Sequence, residues 1–397
     1  MQPLNIIDLF CGAGGLSYGF GKNNFFNILA ANEILSDAAN AYFLNHPTAR
    51  VYVGDIKDLE IPFMLKDLQT DKKNIDIVIG GPPCQAYSTV GKRLMDDPRA
   101  TLFHEYFRII KNLEPKFFIF ENVKGLLSMQ NGKLINTIID LFKSLNYRVD
   151  FKVLNVADYG VPQIRERVII TGSKFNKRFQ YPKPTHSSDN STKYLTVENA
   201  LSDLAFIKSN ESSNRYAKSP QNEYQKMMRE ERDELLTEHS SPKNNKKLVK
   251  IMELLPDGGT PSDIPEQYRP TSGFKNTYCR LWWQRPCTTI TRNLGTPSSS
   301  RCIHPVAPRP LTTREGARIQ SFPDSYQFYG SKSSKNLQIG EAVPPLLSIS
   351  LADAVKKHFE ENKNQWISIN RKKDKKLYHK LGLKKLSSNQ LDLEFEG

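Results

Sequence analysis

Cys84 stands in "GGPPCQAYS", behind Pro82 and Pro83 and just past the apolar run "IDIVI". A lone cysteine is usually a small core residue. This one falls where a strand should stop and a loop begin, and the fixed φ angles of the two prolines stiffen the approach to its thiol. A free thiol has a pKa near about 8.5, so only a few per cent is thiolate at neutral pH unless cations stand nearby. A later apolar run ends in "FENV", which supplies Glu121, and "DYGVPQIRERV" sets Arg165 and Arg167 two residues apart on one face of an extended segment. A nucleophile, a carboxyl group and two guanidiniums on neighbouring strand ends suit one reaction. Thiolate attack at C6 of cytosine turns the ring into an enamine that can take a methyl group at C5. A carboxyl group at N3 neutralises the charge that builds during attack, and an arginine holds O2 and the thiolate.

A second cluster suits a cofactor. "NIIDLFCGAGG" reads as a strand entering a glycine-rich turn, where Gly12, Gly14 and Gly15 let a ligand approach the backbone. Such a turn is a weak signal alone. Glu33 ends the next strand, about 20 residues on, where a doubly wound fold places an acceptor for ribose hydroxyls. Asp55 ends the strand after that and can accept from an adenine amino group. The turn lacks the lysine of a triphosphate-binding loop. An adenosine ligand without a phosphate chain points to S-adenosylmethionine. The plainer alternative is that Glu33 and Asp55 are ordinary loop acids.

The elements that must position these residues follow from periodicity. "NIIDLF", "FNILAANE", "VYVGDI", "IDIVIGG", "FFIFENV", "FKVLNV" and "RVIITGS" are short runs rich in Val, Ile and Phe, as in strands covered on both faces. "LFHEYFRIIKNL" and "KLINTIIDLFKSL" lie between them as amphipathic helices. The alternation predicts an α/β fold, a doubly wound, mostly parallel sheet, over residues 1–175. Residues 176–324 are polar and then rich in Pro, Gly, Thr and Arg, and read as a smaller loop-rich domain. Residues 325–361 include the helix "PLLSISLADAVKKHF" and return to the first domain. In the tail, 362–397, eight of the fifteen residues of "RKKDKKLYHKLGLKK" are Lys or Arg. It could grip phosphates or be a solvated tail.

The bulk numbers agree with a polyanion-binding protein. The net charge is +14 over 397 residues, although a solubilising surface would look the same. The five cysteines are odd in number and none form CxxC, which disfavours a disulfide framework or structural zinc and points to a reducing compartment. The N-terminus does not look like a signal peptide, and no apolar run approaches the roughly 20 residues of a membrane helix. A cytoplasmic protein without membrane contact is expected.

Taken in order, these stretches resemble the C5-cytosine DNA methyltransferase family. "DLFCGAGGLS" resembles its first motif, "GGPPCQAYS" its nucleophile motif, "ENV" its glutamate motif and "QIRERV" its arginine motif. "RPLTTREGARIQSFPD" and "QIGEAVPP" resemble its last two. The resemblance runs from about residue 5 to about residue 358 and implies a Rossmann-like S-adenosylmethionine-dependent fold with a target-recognition domain. It implies that Phe10, Gly12, Gly14, Glu33, Asp55 and Pro83 contact the cofactor and that Cys84 is the nucleophile. Glu121 would engage N3, while Arg165 and Arg167 hold the cytosine and the thiolate. Gln85, Ser88 and Arg99 would lie on or beside a loop that closes over a cytosine flipped out of duplex DNA. No metal is implied. A monomer is expected, with a restriction endonuclease of the same site as its counterpart.

Three positions depart from the family pattern. Tyr87 replaces a Phe, Ala100 a Gly, and Glu341 the Asn of "QIGNAVPP". Near the methionine end of the cofactor, Glu341 would set one carboxylate against another. It should weaken binding or turn toward a cation.

In residues 270–304, Arg280, Arg285 and Arg292 are candidate DNA contacts, and Trp282 and Trp283 the expected core of a small module. Cys279, Cys287 and Cys302 lack metal-ligand spacing and read as structural. Two rivals remain: an RNA (tRNA) cytosine-5 methyltransferase on the same scaffold, and a catalytically silent DNA-binding regulator. The long insert favours a reader of duplex grooves, and the presence of Cys84 and Glu121 disfavours the regulator.

Overall fold

The computed structural model describes residues 2–83, 102–187, 192–230, 235–270 and 276–362. Cys84, Gln85, Tyr87, Ser88, Arg99, Ala100 and the basic tail from residue 363 lie outside the described residues. The continuously apolar runs become strands because alternate side chains feed two different cores. In β4 (Ile77–Gly80) and β5 (Phe117–Val123), Val78, Phe118 and Phe120 face one core, while Ile77, Ile79, Phe117 and Ile119 face the other. Around them stand β1 (Leu4–Leu9), β2 (Phe26–Glu33), β3 (Arg50–Val53), β6 (Arg148–Asn155) and β7 (Glu166–Ser173). All seven match the strands read from the sequence.

The sheet order is β3-β2-β1-β4-β5-β7-β6. Strands β1 to β5 pair in parallel, and β7 is antiparallel to both β5 and β6. The fold is therefore the expected doubly wound, mostly parallel α/β sheet. One face is covered by α3 (Ile61–Asp67), α4 (Leu102–Leu113) and α5 (Lys133–Ser144), through Met64, Ile109, Ile110 and Phe142. The other takes α1 (Gly15–Gly21) and α11 (Pro345–Glu361), through Leu16, Phe20, Leu347, Leu351 and Val355. The short helix α2 (Ser36–Asn45) links β2 to β3.

Between β7 and α11, the described residues hold five short helices and isolated bridges in place of a sheet. The helices are α6 (Val197–Leu201), α7 (Glu223–Arg229), α8 (Lys246–Leu254), α9 (Thr313–Ile319) and α10 (Lys332–Glu341). Their main core gathers Leu201, Tyr224, Leu311, Ala317 and Phe322, and reaches Ala13 and Ala41 of the sheet lobe. Buried ion pairs fasten α9. Arg309 donates to both oxygens of Glu315 at 2.7 Å, and Arg318 donates to Asp324 and Asp203. Such pairs are retained only where each partner is fully satisfied.

Candidate active site

The register of the sheet decides which residues meet. Leu9 lies level with Asn32 and Gly80, Glu33 with Val53, and Gly80 with Phe120. The carboxyl ends of β1 to β5 therefore form one edge, carrying Phe10, Glu33, Asp55, Gly81 and Glu121. Because β7 runs the other way, its beginning reaches that edge, and Val123 pairs with Arg167. A reversed strand thus adds its entry residues to the exits of its neighbours.

At the glycine-rich turn the backbone is left-handed at Phe10 (φ 55°), Gly12 (φ 55°) and Gly14 (φ 94°), which non-glycine residues seldom adopt. Glu33 is buried and holds this turn. Its Oε2 accepts from the Gly12 amide at 2.8 Å and its Oε1 from the Leu35 amide at 2.9 Å. Burial pushes its carboxyl above the usual range, and the amide donors oppose that rise. A carboxylate accepts about four hydrogen bonds, so the two amides leave capacity for hydroxyl donors. Asp55 caps a short 3-10 turn, accepting from the Lys57 amide at 3.0 Å. Pro82 is buried and Pro83 half-buried.

The chemical end is built around Glu121. It points to the same face of the sheet as Ile169, its partner in β7, and Arg167 lies two residues away on that face. Arg167 Nε donates to Glu121 Oε1 at 2.9 Å, with both side chains largely buried. Burial pushes the Glu121 carboxyl up, and the charges of Arg167 and then Arg165 pull it back only in part. Gly81 makes room for it, since a Cβ there would come within 2.7 Å of Glu121 Oε2.

Arg165 is placed differently from Arg167. It is 1% exposed, and its guanidinium donates to the carbonyls of Ile290 (2.8 Å), Gly340 (2.9 Å) and Ala342 (3.1 Å). Burial and the neighbouring Arg167 pull its pKa down to about 9, against Glu121 and Glu341. Glu341, the last residue of α10, retains an exposed surface. Loss of water pushes its carboxyl up, Arg292 opposes the rise and the nearby Glu33 adds to it. Glu341 thus feels a carboxylate, Glu33, and the cations Arg292 and Arg165.

One candidate DNA contact is overturned. Arg280 is 4% exposed, and its guanidinium donates to the carbonyls of Met252, Leu255, His304 and Pro305. Those bonds bolt the small module together and leave no surface for DNA. Arg285 and Arg292 are exposed. Trp282 packs under the Arg301 guanidinium, 4.2 Å from its ring, and Trp283 against Phe206 and His304. Cys279, Cys287 and Cys302 are buried free thiols. Among the described residues no His, Cys, Asp and Glu group could hold a metal ion, and no helix is long and apolar enough to cross a membrane.

Two side chains of the site were not singled out in the sequence. Asn122, beside Glu121, faces the opposite way, and its Nδ2 donates to the Pro82 carbonyl at 2.8 Å, tying β5 to the end of the described segment 2–83. Strand alternation within "ENV" carried that signal. Gln163, two residues before Arg165, is wholly buried; it opens the stretch "QIRERV", in which only the two arginines were given a role.

Comparison with known proteins agrees with the fold. The model of the C-5 cytosine-specific DNA methylases matches residues 4–357. Type II methyltransferase M1.HphI of Haemophilus parahaemolyticus is 36% identical over 359 residues, covering 90% of this chain and 87% of its own. Type II methyltransferase M.DdeI of Desulfomicrobium norvegicum is 34% identical, with 98% and 96% covered. A prophage-encoded DNA modification methyltransferase of Escherichia coli superimposes with a TM-score of 0.73 at 26% identity, over 90% of this chain and 99% of that one.

Proposed function

The chain belongs to the C-5 cytosine-specific DNA methylases, and from that premise we propose how its own residues carry the reaction. Membership makes it an S-adenosylmethionine-dependent DNA (cytosine-5-)-methyltransferase of the restriction-modification type. The residues present fit the cofactor. A Cβ at Gly12 or at Gly54 would meet nothing within 4 Å, so open space lies beside two of the three strand ends. In our reading Glu33 accepts from ribose hydroxyls and Asp55 from the adenine amino group, while Phe10, Gly12, Gly14 and Pro83 line the cradle. Bound S-adenosylmethionine supplies an electrophilic methyl group.

The chain's own residues make the cytosine reactive. The cytosine is flipped out of duplex DNA, at a cost of a few kcal/mol. Sγ of Cys84 bonds to C6, the ring's electrons move toward N3, and Glu121 delivers its proton there. Burial of Glu121 favours the protonated form needed for that step, and Arg167 orients it. The activated ring is nucleophilic at C5, the atom that is methylated. Loss of the C5 proton to water, and return of the N3 proton to Glu121, let the C6–S bond break and restore the ring. Gln85, Ser88 and Arg99 contact the flipped base or its strand. Arg165 contributes from behind Arg167. Residues 1–175 with 325–361 form the catalytic domain, residues 176–324 read the target, and the protein acts as a monomer alongside a cognate endonuclease.

The observation that carries this reading is the buried Glu121–Arg167 pair against Gly81, which stands three residues before Cys84 in the chain. The test maps 5-methylcytosine at base resolution after wild type or Cys84→Ala is incubated with S-adenosylmethionine and unmethylated genomic DNA. Methylation at one short motif, absent with the variant, is expected. Methylation by Cys84→Ala, or by wild type only on bulk tRNA, overturns it.

A further inference from the structure

The segment that carries Arg167 also grips the two other parts of the molecule. Just before β7, residues 162–164 pair with the recognition region. The Ile164 amide donates to the Cys287 carbonyl, and the Cys287 amide to that of Pro162. Gln163 extends the contact inward. Its Oε1 accepts from the Ile290 amide at 2.7 Å, and its Nε2 donates to Gln320 Oε1. Gln320 passes the chain on, its Nε2 donating to the carbonyls of Ile339 and Ala342. Both amides are 0% exposed. Arg165 closes the same circuit by donating to Ile290, Gly340 and Ala342. Gly340 lets the three parts touch, since a Cβ there would lie 2.2 Å from the Arg292 nitrogen.

This circuit has a direction. The Ile290 amide can only donate and the Ile339 carbonyl can only accept, so neither glutamine can reverse its amide without losing bonds at both ends. A buried amide left unpaired is costly, so the circuit holds as a unit or breaks as a unit. It joins positions far apart in the chain, 127 residues between Gln163 and Ile290 and 157 between Gln163 and Gln320. Its near end is four residues from Arg167.

We propose that Gln163 and Gln320 are positioning residues through which the seating of the recognition region on DNA sets the Glu121–Arg167 pair. This rests on the reading that the pair acts on the flipped cytosine. Ile290 lies between the recognition arginines Arg285 and Arg292, so displacement of that segment on DNA reaches the catalytic segment through Gln163 and Arg165. Both glutamines are wholly buried, with no surface open to a ligand.

The test uses the full-length protein and duplex DNA carrying its mapped site. Gln163→Leu, Gln320→Leu and the double variant are compared with wild type. The readout is single-turnover methyl transfer at saturating DNA and S-adenosylmethionine, per cofactor site counted by titration calorimetry. DNA affinity is read by fluorescence anisotropy. The rate per site should fall about tenfold or more in each single variant, with both affinities within about threefold of wild type, and the double variant no slower than the worse single one. A purely structural role would lower the number of sites and leave the rate per site intact. That outcome, a loss confined to DNA affinity, or multiplicative effects in the double variant would overturn the proposal. Thr289→Val removes only a hydrogen bond to the Ile164 carbonyl at the exposed rim. It should slow the same step more mildly, and serves if the glutamine variants do not fold; an unchanged rate would again overturn the proposal. A wild type inactive on DNA would instead sink the reading beneath it.

Discussion

Asp8→Asn should make the protein's stability less sensitive to pH. Asp8 is 1% exposed within β1, between Ala31 and Ile79 of the flanking strands. Ser17 Oγ donates to its Oδ2 at 2.6 Å, and its Oδ1 has no partner. Burial pushes the carboxyl from 3.8 to about 8; the Ser17 bond opposes the shift and Glu33 adds to it. The sign follows directly. Between about pH 4 and pH 8 the folded chain keeps a proton that the unfolded chain has released, so wild-type stability falls as pH rises. The slope from this group is about 1.4 kcal/mol per pH unit. Asparagine cannot ionise, so its difference from wild type isolates that slope, apart from a pH-independent offset for the altered hydrogen bonding. Urea unfolding of both proteins at pH 6.0 and 7.5 should show the asparagine variant gaining about 2 kcal/mol relative to wild type over that interval. A difference that stays constant would mean that Asp8 is already ionised in the fold, and the argument from burial would fail.

Other outcomes follow from the same contacts. Glu341→Asn removes a carboxylate that adds to the charge at Glu33, and should lower the S-adenosylmethionine dissociation constant by about three- to tenfold in titration calorimetry; an unchanged constant refutes it. Arg280→Ala leaves four buried carbonyls without their donor and should cost more than about 3 kcal/mol of stability. It should leave the dependence of DNA affinity on salt as it was. Arg292→Ala should do the reverse, with near-native stability and a salt slope reduced by about one.

The sequence showed the sheet because its strands are defined locally. Within "IDIVIGG" and "FFIFENV", the stretches "IVI" and "FFIF" are apolar at consecutive positions, as in a strand buried on both faces, and the second run ends on Glu121. The position of β7 was not legible. Periodicity reports that "RVIITGS" is a strand but not its direction, and the direction brings Arg167 to the edge beside Glu121. Arg280 misled for a related reason. An arginine in a polar, loop-rich stretch reads as surface until the carbonyls of Met252 and His304, each more than twenty residues away, are seen to enclose it. Gln163 and Gln320 stand inside the quoted "QIRERV" and "RPLTTREGARIQSFPD", but their role was not legible, because a buried amide has no periodic signature and their partners lie in three separate stretches of chain.

The packing of α11 on α1 also has a consequence for synthesis. Leu16 and Phe20 form an apolar face on α1 that Leu347, Leu351 and Val355 cover, and Ser348 Oγ closes the contact on the Leu16 carbonyl across 332 positions. At about 5–20 residues per second, a ribosome needs roughly 15 to 65 seconds to make that stretch. For that long, the apolar face of α1 lacks its cover from α11. The whole recognition region is made during the wait, so holdase chaperones have a defined window and a defined surface on this polypeptide.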